Sequence, residues 1–189
     1  LDPDKGGAVV WHNKVGRGGF LGGVHWGMSA NGDSLFVPIA DTTITGRFTG
    51  PVSPGIHALD PTSGDLRWYT PSVADCDGKS PIPVCDQGMS AAITSTDQLV
   101  FAGSLDGNLN VYDSLSGEIL WSFDTFGDFE SVSGDTALGG SIESDGPVLY
   151  KGHVLINSGY QFGARMPGNA LMVFSLPPEA DLARSTRDE

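Results

Sequence analysis

An eleven-residue pattern that occurs twice constrains the fold of this chain more than any other feature. Residues 58–68 read ALDPTSGDLRW and residues 111–121 read VYDSLSGEILW, so Asp, Gly and Trp keep the same mutual spacing in both copies. Each copy places a turn signal between two short runs of strand composition. The copies lie 53 positions apart. The pattern therefore predicts a structural unit of about 50 residues that is repeated along the chain.

The second copy lies inside a predicted three-strand meander. Its strand runs are 99–104, 108–113 and 118–123, with Asp106-Gly107 and Ser116-Gly117 at the turns. So few short strands bury too little surface to be stable alone, which again favours a repeat. Short openings rich in small residues precede the units, as listed here: Gly27-Met28-Ser29-Ala30, Gly88-Met89-Ser90-Ala91 and Gly139-Gly140-Ser141. Units of this length with four strands each are typical of β-propeller blades.

The spacing predicts an incomplete propeller over residues 1–178. The predicted divisions are a partial blade at 1–15 and blades at about 22–69, 88–124 and 139–176. Residues 1–11 are expected to form the turn before the outermost strand of a blade and the start of that strand. The reason is that Gly7 and Trp11 have the same spacing as Gly64 and Trp68. Predicted strands of the other two blades are 24–30, 34–40, 55–60, 65–69, 153–158 and 170–176. We expect residues 125–138 to link two blades and the acidic tail 179–189 to be disordered.

The last predicted blade ends at Pro177-Pro178, where an Asp and Trp ending would be expected. Its fourth strand is therefore expected from another segment. The missing blades are expected to belong to the same protein or to a companion chain. A split or truncated propeller with no activity of its own is one interpretation of this pattern.

Composition and charge limit the possible partners. The chain has 27 glycines and 12 prolines among 189 residues and no long apolar pattern of helical period, which favours an all-β protein. Its net charge of −13 repels phosphate backbones and anionic lipids, so nucleic-acid and membrane-surface binding are not expected. No apolar run reaches the roughly 20 residues that span a bilayer.

Cys76 and Cys85 are the two cysteines of the chain and lie nine positions apart in a loop rich in Pro, Asp and Gly. They are expected either to form a disulfide, which suits an oxidising compartment, or to remain separate thiols. No nearby residues provide zinc-ligand spacing, and no Cys-x-x-Cys-His sequence indicates covalent haem.

The Asp…Gly…Trp copies resemble the tryptophan-docking repeats of pyrroloquinoline-quinone (PQQ) dehydrogenases, which are eight-bladed propellers. The polyvinyl-alcohol dehydrogenase type is the subgroup that the chain resembles most. The stretches that carry this likeness are Val24-His25-Trp26-Gly27-Met28, Gly103-Ser104-Leu105-Asp106-Gly107, Phe129-Glu130-Ser131-Val132-Ser133-Gly134, Asn157-Ser158-Gly159-Tyr160 and Met166-Pro167-Gly168-Asn169-Ala170-Leu171. The resemblance implies an all-β fold: part of an eight-bladed quinoprotein propeller, with about three blades plus the last strand of a preceding one.

The same resemblance implies a function. The chain would be the C-terminal portion of a periplasmic or extracellular PQQ-dependent alcohol dehydrogenase. Such enzymes transfer a hydride from an alcohol to PQQ with a carboxylate base and a calcium ion, and then pass electrons to a cytochrome c. Ser133 stands where the family pattern has asparagine, and Glu143 lies near an expected aspartate. A non-catalytic propeller that acts as a protein-interaction scaffold is the alternative, since non-enzymatic propellers share the docking repeats.

Propellers bind small molecules at the mouth of the central funnel, where the inner strands open. This rule selects His25, Trp26, Met28, Ser90 and Ser141 as candidate cofactor contacts, and Glu143 as a candidate calcium ligand or base. The catalytic base itself is not identified. The alternatives are packing between blades for Trp26, a hydrogen-bonded core position for His25, and a solvated or turn-stabilising carboxylate for Glu143 and its rival Asp41. Structural roles are predicted for Trp11, Trp68 and Trp121, and for the turn carboxylates Asp60 and Asp113.

Overall fold

Antiparallel β-strands form nearly all the regular structure of the chain. The computed structural model describes residues 1–21, 23–42, 48–82, 84–160 and 163–176, and within these ranges the one helical element is a short 3-10 turn at Pro3–Lys5. The predicted disordered tail and the centre of the long 41–54 insertion lie outside the described residues. No helix in the described part of the chain combines the length and apolar content that crossing a bilayer requires.

The strands form three meanders and one separate hairpin. The first sheet contains β1 (Ser29–Ala30), β2 (Leu35–Ile39), β3 (Gly55–Leu59) and β4 (Leu66–Pro71), and the second contains β5 (Thr94–Ser95), β6 (Leu99–Gly103), β7 (Asn108–Asp113) and β8 (Ile119–Asp124). The hairpin pairs β9 (Gly127–Glu130) with β10 (Thr136–Gly139), and the third sheet contains β11 (Val148–Tyr150), β12 (His153–Ser158) and β13 (Ala170–Ser175). Each sheet follows chain order, so the chain is all-β and forms part of a β-propeller.

The outer strands begin and end within a few residues of the predicted bounds, whereas the inner strands are shorter than predicted. Of the predicted run 24–30, only β1 is a regular strand, and Val24 makes an isolated bridge to Ile39. Trp26 interrupts the extended run because its backbone has a positive φ of 54°. Residues 125–138, predicted as a linker, instead contain the β9–β10 hairpin.

The first expected strand is also absent from the described residues. After the 3-10 turn and a bridge from Asp2 to Ala8, residues 9–16 pair with no described strand. A strand needs a neighbour for its backbone groups, and the described chain contains no earlier strand that could supply one.

Two tryptophans dock on the turn of the following sheet, which confirms their structural assignment. Trp11 donates from Nε1 to the Pro61 carbonyl at 3.0 Å and covers Gly64. Trp68 donates to the Ser114 carbonyl at 3.1 Å and covers Gly117. Each indole therefore joins consecutive repeats.

The residue two positions after each docked tryptophan adds a second link to the same turn. Asn13 donates to the Gly64 carbonyl at 2.7 Å, and Thr70 donates to the Gly117 carbonyl at 2.7 Å. Trp121 differs, since it is 40% exposed and packs edge-on against Phe174 of β13. Phe123 occupies the position of Asn13 and Thr70 and also packs against Phe174. Beside these rings, an apolar groove of about 850 Å³ runs between the second and third sheets.

The hydrophobic core lies between neighbouring sheets. Phe36 and Ile56 of the first sheet pack with Val100 and Tyr112 of the second, and Trp68 closes this cluster. A second cluster joins Leu109 of the second sheet to Ile142 and Ile156. Full burial of each large apolar side chain contributes on the order of 1.5–3 kcal/mol, so most of the packing energy couples one sheet to the next.

Cys76 and Cys85 form a disulfide, which confirms the first of the two sequence-based alternatives. The closed loop carries Lys79, whose buried Nζ donates to the Asp106 carbonyl at 2.8 Å and to Asp124 Oδ1 at 3.1 Å. The loop is therefore anchored to the second sheet before the chain reaches Ser90.

Candidate functional site

Three inner segments lie side by side, and we define them as residues 23–30, 88–95 and 140–150. The Ala92 amide donates to the Ser144 carbonyl at 3.1 Å, and Thr94 Oγ1 donates to the Pro147 carbonyl at 2.5 Å. A β-carbon on Gly27 would lie 3.2 Å from the Ala92 Cβ, so small side chains allow this approach. The first two segments also meet through the hydroxyl groups of Ser29 and Ser95, which are 2.6 Å apart.

A hydrogen-bonded row crosses all three inner segments and contains three of the six predicted site residues. His25 Nδ1 lies 2.7 Å from Ser90 Oγ, and Ser90 Oγ donates to Glu143 Oε1 at 3.5 Å. Each of the three residues comes from a different inner segment. We call this arrangement the His25–Ser90–Glu143 row.

His25 is the least buried residue of the row. His25 is half-buried, whereas Ser90 is 0% and Glu143 is 1% exposed. Burial lowers the pKa of His25, because desolvation disfavours the charged imidazolium. The imidazole is thus favoured in its neutral form, which has one nitrogen donor and one nitrogen acceptor.

Trp26 lies next to the row and presents an aromatic surface. Its side chain is 52% exposed, and its ring centroid is 4.8 Å from that of His25 with a tilt of 38°. Its positive φ is rare for a bulky residue and has a conformational cost of about 1–3 kcal/mol. Trp26 can thus offer a flat apolar surface beside a polar histidine.

The other two predicted cofactor contacts, Met28 and Ser141, differ in solvent exposure. Met28 is exposed on the same inner segment as His25. Ser141 is fully buried, and its hydroxyl donates to the Leu105 carbonyl at 2.6 Å and accepts from the Met166 amide at 3.1 Å. Because two backbone groups occupy this hydroxyl, it supports the segment that carries Glu143.

Asp41, the predicted rival of Glu143, organises the backbone around it. Its carboxylate accepts from the amides of Arg17, Gly18, Gly23 and Ser53 at 2.6 to 3.4 Å. Burial acts to raise the pKa of Asp41, but these backbone donors outweigh it and hold the pKa below its ordinary value. The arrangement matches the turn-stabilising alternative.

Sequence reasoning missed a buried ion pair near the third inner segment. Arg165 Nη1 lies 3.9 Å from Asp86 Oδ2, and both residues are almost fully buried. Reciprocal bonds between Ser141 and Met166 hold residue 165 next to the third inner segment. The available signal was an arginine placed among small and apolar neighbours, Ala164, Met166 and Pro167.

The described residues do not form a calcium site. No group of three or more His, Cys, Asp or Glu side chains with metal-binding geometry occurs among them. Calcium requires six to eight oxygen ligands, and the row offers the Glu143 carboxylate and one hydroxyl. No step is therefore assigned to calcium here.

Comparisons with known proteins identify the family. The profile described as outer membrane protein assembly factor BamB, a PQQ-repeat family, matches residues 1–137 and, in an overlapping match, 53–164. A polyvinylalcohol dehydrogenase of Pseudomonas sp is 32% identical over 93% of this chain. A 1-butanol dehydrogenase (cytochrome c) of Thauera butanivorans is 33% identical over 58% of this chain, which covers 15% of that enzyme. The chain spans 28% of the length of the polyvinylalcohol dehydrogenase.

Solved structures show weaker similarity. BamB from Moraxella catarrhalis aligns with 78% of this chain and 32% of its own, at 18% identity and a TM-score of 0.48. Quinohemoprotein alcohol dehydrogenase ADHIIG from Pseudomonas putida aligns with 73% of this chain and 17% of its own, at 24% identity and a TM-score of 0.46. The profile match extends over most of the described strands. This chain belongs to the PQQ-repeat β-propeller family, as its tryptophan-docking repeats predicted.

Proposed function

We propose that the chain is part of a PQQ-dependent alcohol dehydrogenase of the polyvinyl-alcohol dehydrogenase type, in which it supplies one side of the cofactor funnel. The observation that carries this proposal is the His25–Ser90–Glu143 row, with Trp26 beside it. A scaffold propeller has no need for a buried carboxylate and serine aligned on a half-buried histidine. Groups with a perturbed pKa cluster at functional sites, and the lowered pKa of His25 fits that pattern.

The exposed residues of this region offer contacts to a planar cofactor. Trp26 offers a face for stacking on a flat ring system, and His25 offers a ring nitrogen at its edge. Bound PQQ would supply an oxidised quinone that accepts a hydride, and with it two electrons, from the alcohol. The chain's own residues would bind the ring system, exclude water and hold a proton acceptor near the alcohol.

The remaining parts of the proposal have independent support. The chain is similar to a 1-butanol dehydrogenase whose name includes cytochrome c, and this similarity supports cytochrome c as the electron acceptor. The Cys76–Cys85 disulfide supports an oxidising location, such as the periplasm or the extracellular space. Calcium remains a proposal from the family resemblance, and its ligands would include residues beyond those described here.

PQQ binding and dye reduction test the proposal. The protein that carries this chain is titrated with PQQ, with and without calcium, while tryptophan fluorescence is recorded. Reduction of an artificial dye is then followed after addition of 1-butanol or polyvinyl alcohol. We expect saturable quenching that W26A weakens at least fivefold, with W121A as the matched control at a site distant from the row. Absence of both PQQ binding and alcohol-dependent dye reduction would refute the proposal.

The name of the matched family profile favours one alternative, a scaffold propeller for protein assembly. This alternative expects a stable protein partner and no affinity for PQQ. Chemical cross-linking of the protein in its native extract, followed by mass spectrometry, tests for that partner. PQQ binding weakened by W26A would exclude a purely scaffolding role.

A further inference from the structure

We propose that a crevice beside the outermost strand of the second sheet binds an aliphatic chain that carries several hydroxyl groups. The crevice lies between residues 71–75, where the chain leaves the first sheet, and the strands β7 and β8. Its volume of about 310 Å³ is at the lower end of the range for small-molecule sites. We call it the outer crevice. Its assignment to a polymeric alcohol substrate rests on the proposed dehydrogenase function.

The outer crevice is lined by both hydrogen-bonding and apolar groups. Side chains alternate along a strand, so Asn108 and Asn110 face it together from β7, and Ser122 of β8 pairs with Asn110. Val73 and Ile119 add apolar surface. Among the described residues that line the crevice there is no Lys, Arg or His, so it offers no cationic group to an anion. Neutral hydroxyl groups on a hydrocarbon backbone match this combination of carboxamides, hydroxyl and apolar surface.

The two asparagines are not required by the fold. The strand β13 takes in the third sheet the place of β7 in the second, because each is the third strand of the meander and pairs in the same register with the strand before it. The positions of Asn108 and Asn110 are then occupied by Ala170 and Met172. Met172 is half-buried, as Asn110 is, and packs against the apolar cluster between the second and third sheets. A position of similar exposure is therefore apolar where it serves packing and carries a carboxamide where it lines the crevice.

Buried contacts hold one end of the outer crevice in place. Asp106 is 1% exposed and accepts from the Asp75 amide at 3.0 Å and from Asn108 Nδ2 at 2.9 Å. The second contact fixes the Asn108 carboxamide, whose Oδ1 accepts no hydrogen bond from the described residues and can accept one from a ligand hydroxyl. Lys79 of the disulfide loop donates to the Asp106 carbonyl at 2.8 Å. The wall formed by residues 71–75 is thus held against β7 before any ligand binds.

The same end of the crevice lies close to the inner segments that carry the His25–Ser90–Glu143 row. Leu105, which precedes Asp106, donates from its amide to the Gly88 carbonyl at 2.9 Å and accepts from the Ser141 hydroxyl at 2.6 Å. Gly88 belongs to the second inner segment and Ser141 to the third. A polymer held in the crevice would therefore keep its further hydroxyl groups near the funnel. A small alcohol is too short to contact both places.

Binding is measured first, without PQQ. The protein that carries this chain is titrated calorimetrically with short polyvinyl alcohol and, separately, with polyethylene glycol, which has ether oxygens in place of hydroxyl groups along its chain. We expect saturable binding of polyvinyl alcohol alone. N108A/N110M should weaken it about fivefold or more, the effect of losing one or two hydrogen bonds. This double variant gives β7 the side chains that β13 carries at the same positions, so we expect it to fold.

Two serine variants form a matched pair. S122A removes one hydroxyl from the crevice, and S175A removes one from an exposed position of β13 outside it. We expect S122A to weaken binding about twofold or more and S175A to leave it unchanged. S122A also provides the test if the double variant does not fold. Equal affinity in the wild type, N108A/N110M and S122A would overturn the proposal, as would equal binding of polyethylene glycol.

Kinetics of the PQQ-loaded protein separate this inference from the proposed function. N108A/N110M should raise KM for polyvinyl alcohol about fivefold or more, and leave KM for 1-butanol and both kcat values unchanged. Binding of polyvinyl alcohol to the crevice in a protein that oxidises no alcohol would refute the proposed function and keep the binding site. Oxidation of polyvinyl alcohol with an unchanged KM in N108A/N110M would refute the crevice as a substrate site.

Discussion

The indole of Trp68 covers Gly117 so closely that a β-carbon on the glycine would lie 2.5 Å from Cε3 of the ring. The same glycine has a positive φ of 75°, and its carbonyl accepts from Thr70 at 2.7 Å. The turn thus needs glycine both for its backbone conformation and for the space under the tryptophan.

G117A should therefore destabilise the chain by about 2–4 kcal/mol, which combines the left-handed backbone with overpacking. The measurement is urea-induced unfolding followed by tryptophan fluorescence. G134A is the matched control, because Gly134 also has a positive φ, of 84°, but a β-carbon there would meet no atom within 4 Å. Equal losses in the two variants would show that the indole contact does not matter.

Asp41 should be more important for stability than an exposed turn aspartate. D41N keeps one carbonyl oxygen but weakens the acceptor for four backbone amides in a buried place, so we expect a loss of about 1–3 kcal/mol. D113N is the control, because Asp113 also accepts from turn amides but is only partly buried, and its loss should be smaller. Unfolding free energies from urea titration at pH 7 give the comparison.

The Asp41 contribution should also depend on pH. Because the folded pKa is below the unfolded value of about 3.9, the stabilisation is present above that value and is lost as pH falls through the folded pKa. The stability difference between wild type and D41N should therefore narrow below about pH 4. A difference that stays constant down to pH 2.5 would contradict this account.

Protonation of His57 should lower the free energy of unfolding at a higher pH than protonation of Asp41 does. Burial lowers the pKa of His57, although the Ser53 carbonyl and the Asp41 charge act in the opposite direction. The unfolded chain then binds a proton at a higher pH than the folded chain, so stability falls as pH decreases from about 6.5 through the folded pKa. H57Q should reduce the slope of unfolding free energy against pH over 5–7. An unchanged slope would mean that other groups dominate.

Removal of the Cys76–Cys85 disulfide, in the loop that precedes Ser90, should lower the free energy of unfolding. The cross-link joins cysteines nine positions apart, and the chain-entropy relation gives a loss of about 2–3 kcal/mol for C76S/C85S. The measurement is the urea midpoint with and without dithiothreitol. The reductant should lower the midpoint of the wild type and leave the double variant unchanged, whereas no response of the wild type would contradict the prediction.

The outer strands were predictable because local rules determine them. Asp113, Ser116 and Gly117 form a turn whose bonds lie within the pattern itself, and the strands on each side pair in antiparallel register. The β9–β10 hairpin was not predicted, although its five-residue turn at 131–135 contains Ser133-Gly134, the same dipeptide as the predicted turn at Ser116-Gly117.

The site was predictable as a region but not as an arrangement. The small-residue openings indicated where the inner segments begin, and this located His25, Ser90 and Glu143. The 53 positions between Ser90 and Glu143 equal the spacing of the two Asp…Gly…Trp copies. Which side chains meet across the segments depends instead on how the three segments pack. The Arg165–Asp86 pair was missed for the same reason, since only the assembled sheets bring these residues together.

The residue two positions after each tryptophan distinguishes the junctions between consecutive units. Asn13 and Thr70 both donate to a turn carbonyl, so the first two junctions use the same hydrogen bond. Phe123 cannot donate a hydrogen bond and packs against Phe174. The third junction is therefore specific to its neighbour, which fixes the order of the units and ties Glu143 to one position in the ring.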